Sequence, residues 1–166
     1  MIIGIDPDSL LSGVATLNVH TKTMKTECMS FPTLLEYLQA LKSVKMTIRI
    51  YVEASWLQTT SNFHKGYYDK NNEYHKNSEK VNENISNKNG RNHETGRKII
   101  EMSRYYGLDT MECYPLVKCW KGPGHKITQG EIEQFIPDFP KRSNQEMRDA
   151  ALIAWQKADL PIRVKA

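Results

Sequence analysis

Two short apolar runs, each ending abruptly in an acid, constrain this chain more than any other feature. Ile2-Ile3-Gly4-Ile5 runs straight into Asp6-Pro7-Asp8, and the β-branched segment Thr47-Ile48-Arg49-Ile50-Tyr51-Val52 runs into Glu53. A short apolar run closed by a turn signal reads as a strand buried on both faces, and the alternation of Ile48, Ile50 and Val52 reads as a second strand. A carboxylate at the exit of such a strand is costly unless something pairs with it. Asp6 can cap the strand end and open the turn with Pro7, or it can hold a hard cation, which takes carboxylate oxygens. Ser12 to Val19 predicts another strand, in which Gly13 permits close approach of a neighbouring backbone or ligand. Lys25 to Phe31 predicts a further one, and three strands on tight connections form an antiparallel meander. A helix opening at Thr33, with Leu34, Leu35, Leu38 and Leu41 at helical spacing, then leads to the strand before Glu53. A meander, a crossover helix and a fourth strand imply a mixed sheet in which the new strand lies parallel to its partner.

With 166 residues the chain is most simply one domain with a real core. Its net charge of +4 fits a nucleic-acid partner without requiring one. Cys28, Cys113 and Cys119 are odd in number and lack CxxC spacing, which argues for a reducing cytoplasm and against a disulfide framework or a zinc site. Asp6 and Asp8 interrupt the place where the apolar part of a signal peptide would lie, and no run approaches membrane-spanning length, so a cytoplasmic protein without membrane association is expected.

The stretch 62–92 is rich in Asn, Lys, Glu, His and Tyr and poor in aliphatics. It cannot bury enough surface to offset ordering, so it reads as a mobile insertion, or as a segment that orders on a partner. Tyr67, Tyr68 and Tyr74 beside Lys65, Lys70 and Lys76 could stack on bases and touch phosphates; a tolerated surface insertion explains them equally. A helix is expected from Thr95 to Tyr106, closed by Gly107, then a fifth strand over 109–114 and a helical turn over 116–120. Lys121-Gly122-Pro123-Gly124-His125-Lys126 is a glycine-rich basic loop, and Thr128 with Glu131 predicts a capping box opening a helix through Ile136. The last helix opens at Ser143 or Asn144 and runs to about Ala158, with a small, apolar face over Ala150, Ala151 and Ala154.

Glu146 and Asp149 share a face of that last helix. Ser143 and Glu146 have capping-box spacing, which by itself accounts for Glu146; Asp149 leads into the buried-looking run Ala150 to Trp155 and suits the helix dipole. Strand-end carboxylates joined by acids from a late helix are what two-metal phosphodiester hydrolysis needs, with two cations roughly 3.5–4 Å apart. Oxygen ligands with open positions suit Mg²⁺.

At this point the chain resembles the RuvC-type Holliday junction resolvases, a branch of the RNase H-like nucleases. Ile3-Gly4-Ile5-Asp6-Pro7 followed by Gly13 matches the opening motif, and Val52-Glu53-Ala54-Ser55-Trp56 the second. Tyr114-Pro115-Leu116-Val117-Lys118 and Gly122-Pro123-Gly124-His125-Lys126 match the two lysine segments, the latter one residue short before the lysine. Arg148-Asp149-Ala150-Ala151-Leu152-Ile153-Ala154 matches the final motif. These pieces stand in the family's order over most of the chain. The small size and the Asn/Lys-rich stretch are similar to those of phage-encoded relatives.

The resemblance implies an α/β fold of RNase H-like type, a five-stranded mixed sheet with helices on both faces. It implies a metal-dependent endonuclease that resolves four-way DNA junctions by paired nicks, acting as a homodimer built on the helix at 95–106. Asp6, Glu53 and Asp149 would ligate Mg²⁺, two ions per site with Mn²⁺ able to substitute. Glu146 would be the fourth acid, where the family usually has aspartate. Lys118, Lys121 and Lys126 would contact phosphates, Lys126 also stabilising transition-state charge. Trp56 would stack on a base at the junction centre, worth about 1–3 kcal/mol, or pack in the core. Two other functions share such a site: an RNase H-like nuclease for RNA–DNA hybrids, flaps or forks, and a non-catalytic binder of branched DNA.

Overall fold

The computed structural model describes residues 1–58, 66–68 and 70–163. Its centre is β1 (Ile2–Asp6), which pairs antiparallel with β2 (Ser12–Asn18) on one side and parallel with β4 (Arg49–Glu53) on the other. β3 (Thr23–Met29) extends the meander beyond β2, and β7 (Asp109–Cys113) lies parallel to β4 at the far edge. The order is β3-β2-β1-β4-β7, a five-stranded mixed sheet of the α/β class, as expected. A separate antiparallel hairpin pairs β5 (Gly66–Tyr68) with β6 (Tyr74–Lys76).

Helices cover both faces. α1 (Phe31–Leu41) and the long α2 (Glu79–Tyr105) pack Leu34, Leu38, Ile99 and Ile100 against Ile3, Ile5, Ile50 and Val52. On the other face, α4 (Gln145–Lys157), with the short α3 (Gln129–Ile132), packs Ala150, Ala151, Leu152 and Trp155 against Ala15 and Leu17. Strand alternation therefore sends Ile3 and Ile5 toward α1 and α2, and Gly4 and Asp6 toward α4. A Cβ on Gly4 would lie 2.3 Å from the Ala150 carbonyl oxygen, and one on Gly13 would lie 2.0 Å from that of Glu146. These two glycines and the alanines of α4 let the helix backbone rest directly on β1 and β2. That contact brings the first turns of α4 to the end of β1.

Several boundaries differ from expectation for identifiable reasons. α1 starts at Phe31, capped by Ser30 with Pro32 in its first turn, slightly ahead of Thr33. α2 starts at Glu79, not Thr95, with Ser78 as N-cap and Arg104 near its C-terminus. Residues 79–92, expected to lack structure, are helical. They carry no apolar stripe, but the helix is anchored by Gly96, Ile99 and Ile100, and adding one residue to an existing helix is far cheaper than nucleating one. Residues 62–65 and Asp69 of the expected insertion, with the stacking proposed for the Tyr67 and Tyr68 rings, lie outside the described residues and side chains. The stretch 116–120 makes no helical turn; a single 3₁₀ turn forms instead at Pro123–His125. α3 shows the Thr128–Glu131 capping box but ends at Ile132, short of Ile136. α4 is capped by Asn144, whose side chain accepts from the Met147 N–H, so the Ser143–Glu146 box does not form. No helix among the described residues is long and apolar enough to cross a membrane.

Candidate active site

The parallel register of β1 and β4 sets Ile5 beside Val52, so the next residues, Asp6 and Glu53, leave the sheet side by side and on the α4 face. α4 adds Asp149, which is buried beneath the first turns of the helix. Lys126, from the loop after the 3₁₀ turn, reaches in and places Nζ 2.7 Å from Asp149 Oδ2. Gln145 Nε2 donates to the other oxygen, Oδ1, at 2.7 Å, and the Leu116 N–H donates to Glu53 Oε2 at 3.3 Å. The Asp149 and Glu53 carboxylates thus each have a hydrogen bond that orients them.

Asp6, Glu53, Asp149, Lys118 and Lys126 line one open cavity of about 320 Å³, walled on one side by Pro115, Leu116 and Val117. Asp6, Glu53 and Lys126 also line an adjoining cavity of about 240 Å³ with Glu146, Trp56, Lys88, Asn89, Asn92 and His93. Together they make a trough across the ends of β1 and β4. Glu146, freed from any capping box, faces it. Lys121 is exposed outside it, and its N–H is used by Glu131 Oε1 at 3.0 Å.

The electrostatics follow from crowding. Burial pushes the Asp6 carboxyl well above its ordinary range, and the charges of Glu53, Asp149 and Glu146 push the same way, against Lys126. Burial also raises Glu53, with Asp149 adding to the shift; the Leu116 N–H, Lys126 and Lys118 oppose it. Burial disfavours the Lys126 ammonium, but its hydrogen bond to Asp149 and the charges of Asp149, Asp6 and Glu53 outweigh that and raise its pKa. The cluster is a site short of positive charge, built only of oxygen donors, and in donor chemistry it fits a hard divalent cation. Among the described residues no three of His, Cys, Asp and Glu stand close enough to ligate one ion; the Lys126 ammonium is the positive charge among them.

Trp56 sits on the 3₁₀ turn Ser55–Leu57, half-buried against α2. Its ring meets His93 edge-on, with centroids 6.0 Å apart, and Arg97 lies 5.2 Å from its centroid. A Cβ on Gly96 would come within 2.7 Å of the ring. Trp56 therefore packs on the helix while lining the trough. The α2 residues Lys88, Asn89, Asn92 and His93 were not anticipated. Their spacing is helical, but without an apolar stripe it had no visible signal.

No protein-family model matches the chain, and neither does any curated protein. Among solved structures the chain is similar to T. thermophilus RuvC in complex with Holliday junction substrate, with a TM-score of 0.47 and 12% identity over 92% of this chain and 88% of that one.

Proposed function

We propose that this chain is a divalent-metal-dependent endonuclease that cuts branched DNA, with the four-way junction as its substrate and a homodimer as its working form. The observation that carries the reading is the convergence of Asp6, Glu53 and Asp149 with Lys126 in one open trough. Asp6, Glu53 and Asp149 would hold Mg²⁺ or Mn²⁺, with Glu146 beside them. The bound metal would supply an activated water and neutralise charge on the leaving oxygen. Gln145 and the Leu116 N–H keep the Asp149 and Glu53 carboxylates aimed, so their ordering is completed before substrate arrives. Lys126, once its place at Asp149 is taken, is within reach of the scissile phosphate, and Lys118 lies along the same trough. The choice of a junction rests on the order of the sequence motifs around Asp6, Glu53, Lys118, Lys126 and Asp149.

One observation favours a second reading, a nuclease for hybrids or forks. Trp56 is engaged by Arg97 and α2, which leaves less of its ring to stack on an unpaired base. Cleavage with Mg²⁺ of a labelled four-way junction, a fork, a linear duplex and an RNA–DNA hybrid separates the two. Paired symmetric nicks in the junction alone are expected. Cutting of the hybrid or fork alone would transfer the site to the second reading, and no cutting of any substrate would leave a non-catalytic binder.

A further inference from the structure

The first half of α2 has no evident reason to stand where it does. Its buried residues begin only at Gly96, so the segment 79–95 contributes nothing to the core. A helix that is polar all round needs some other stabilising contact. Asn92 ties it to the turn after β1: its Nδ2 donates to Asp8 Oδ2 at 3.2 Å and its Oδ1 accepts the Ser9 N–H at 3.1 Å. Both ends of the amide are used, and the turn they hold follows directly on Asp6.

That tether fixes which face of the helix meets the trough. Lys88, Asn92 and Gly96 stand four residues apart, as do Asn89 and His93, on the same stripe as Ile99, Ile100 and Ser103. Where the stripe lies on the sheet it is apolar; where it passes the carboxylates it is Lys, Asn and His. The side chains of Lys88 and Asn89 make no hydrogen bond or ion pair with the rest of the described chain, and both residues line the trough. Burial, with Arg97 nearby, pushes the His93 imidazole below its usual range, so at neutral pH it offers a neutral donor and acceptor.

A nucleic-acid strand entering this trough faces Asp6, Glu53, Glu146, Asp149 and Asp8, all of the same sign as its phosphates. Cations on the walls must offset that repulsion. Lys118 and Lys126 supply them on the loop side; Lys88 is the cation that lines the helix side. We propose that Lys88 and Asn89 of α2, with His93, form a second wall of nucleic-acid contacts that holds the backbone of the strand lying in the trough. Lys88 pairs with a phosphate, Asn89 and His93 hydrogen-bond to phosphate or sugar oxygens, and Asn92 is a positioning residue that keeps this wall registered to Asp6. The assignment rests on the nuclease reading above and adds the residues opposite the lysine loop.

The test is equilibrium binding of the full chain to a labelled four-way junction in EDTA, over a salt series, for wild type, Lys88→Ala, Asn89→Ala and Lys45→Ala. Lys45 is exposed on the turn before β4, at the opposite end of that strand from Glu53, and serves as the control. Lys88→Ala is expected to weaken binding about threefold to tenfold and to lower the log–log salt slope by about 1. Asn89→Ala is expected to weaken it about twofold to threefold with the slope unchanged, since it removes hydrogen bonds and no charge. Lys45→Ala is expected to match wild type. Equal affinity and slope for wild type and Lys88→Ala would overturn the second wall while leaving the nuclease reading intact. Failure of wild type itself to bind junction, fork or duplex would instead overturn the nuclease reading on which the wall rests.

Discussion

Replacing Lys126 by methionine removes the ammonium from the carboxylate cluster while keeping most of the stem. Its Nζ lies 2.7 Å from Asp149 Oδ2; the Asp149 side chain is 10% exposed and the lysine side chain 41%. Breaking a fully buried pair costs about 3–5 kcal/mol because a charge is left unpaired, whereas exposed pairs are worth about 0–1 kcal/mol. With one partner buried and the other two-fifths in water, the loss should be about 1–3 kcal/mol. For a domain of this size each kcal/mol moves Tm by about 2–4 °C. Thermal melts in EDTA at neutral pH should therefore place Lys126→Met about 2–12 °C below wild type. Adding Mg²⁺ in excess should narrow that gap, because a cation held by Asp6, Glu53 and Asp149, as proposed, would supply the missing charge. Equal melting points in EDTA would show that the ion pair does not hold the cluster. A gap unchanged by Mg²⁺ would show that the carboxylates take no cation.

Three further predictions follow from the same geometry. The Asp6 carboxyl, pushed up by burial and by Glu53 and Asp149, keeps its proton in the folded state at pH values where the unfolded chain has lost it. Its contribution to metal-free stability therefore falls as pH rises from the ordinary aspartate range, about 3.9, toward the raised value; Asp6→Asn in EDTA should gain on wild type over that interval, and a constant difference in Tm from pH 4 to 8 would contradict it. Glu146→Gln should lower cleavage with Tm changed by no more than the equivalent of about 0.5 kcal/mol, since Asn144 caps the helix; a loss of about 1 kcal/mol would restore the capping role to Glu146. Gly13→Ala drives a methyl into the Glu146 carbonyl oxygen, only 2.0 Å away, and should cost about 1–3 kcal/mol as α4 is pushed off β2; a wild-type melting point would mean that the helix is not seated there.

Much of the sheet was legible because its signals are local. The apolar runs before Asp6 and Glu53, the alternation at Ile48, Ile50 and Val52, and the leucines of α1 each carry a period that only one secondary structure satisfies. The small-residue face of α4 was equally clear, and Gly4 and Gly13 explain what it rests on. Helix ends were less legible. Ser143 and Asn144 are both good N-caps, and only the tertiary placement of Ser143, whose hydroxyl meets Gln129 while its carbonyl accepts from Arg148, leaves the cap to Asn144. The first half of α2 was illegible for a physical reason. Its helicity is inherited from the anchored half, so hydrophobic periodicity, the usual signal, is absent over 79–95. The same absence hid Lys88, Asn89, Asn92 and His93, which line the trough on that side.

The claim on which the rest depends is that Asp6 and Asp149 serve chemistry rather than the fold. The direct measurement pairs two readouts on the same protein: junction cleavage with Mg²⁺, and junction binding without it, for wild type, Asp6→Asn and Asp149→Asn. Cleavage should disappear in both variants, by at least about a hundredfold for loss of groups proposed to hold the metal, while affinity stays within a few-fold of wild type. If binding is lost together with cleavage, or if either variant still cuts at the wild-type rate, the carboxylates belong to the fold and the active site has been misassigned.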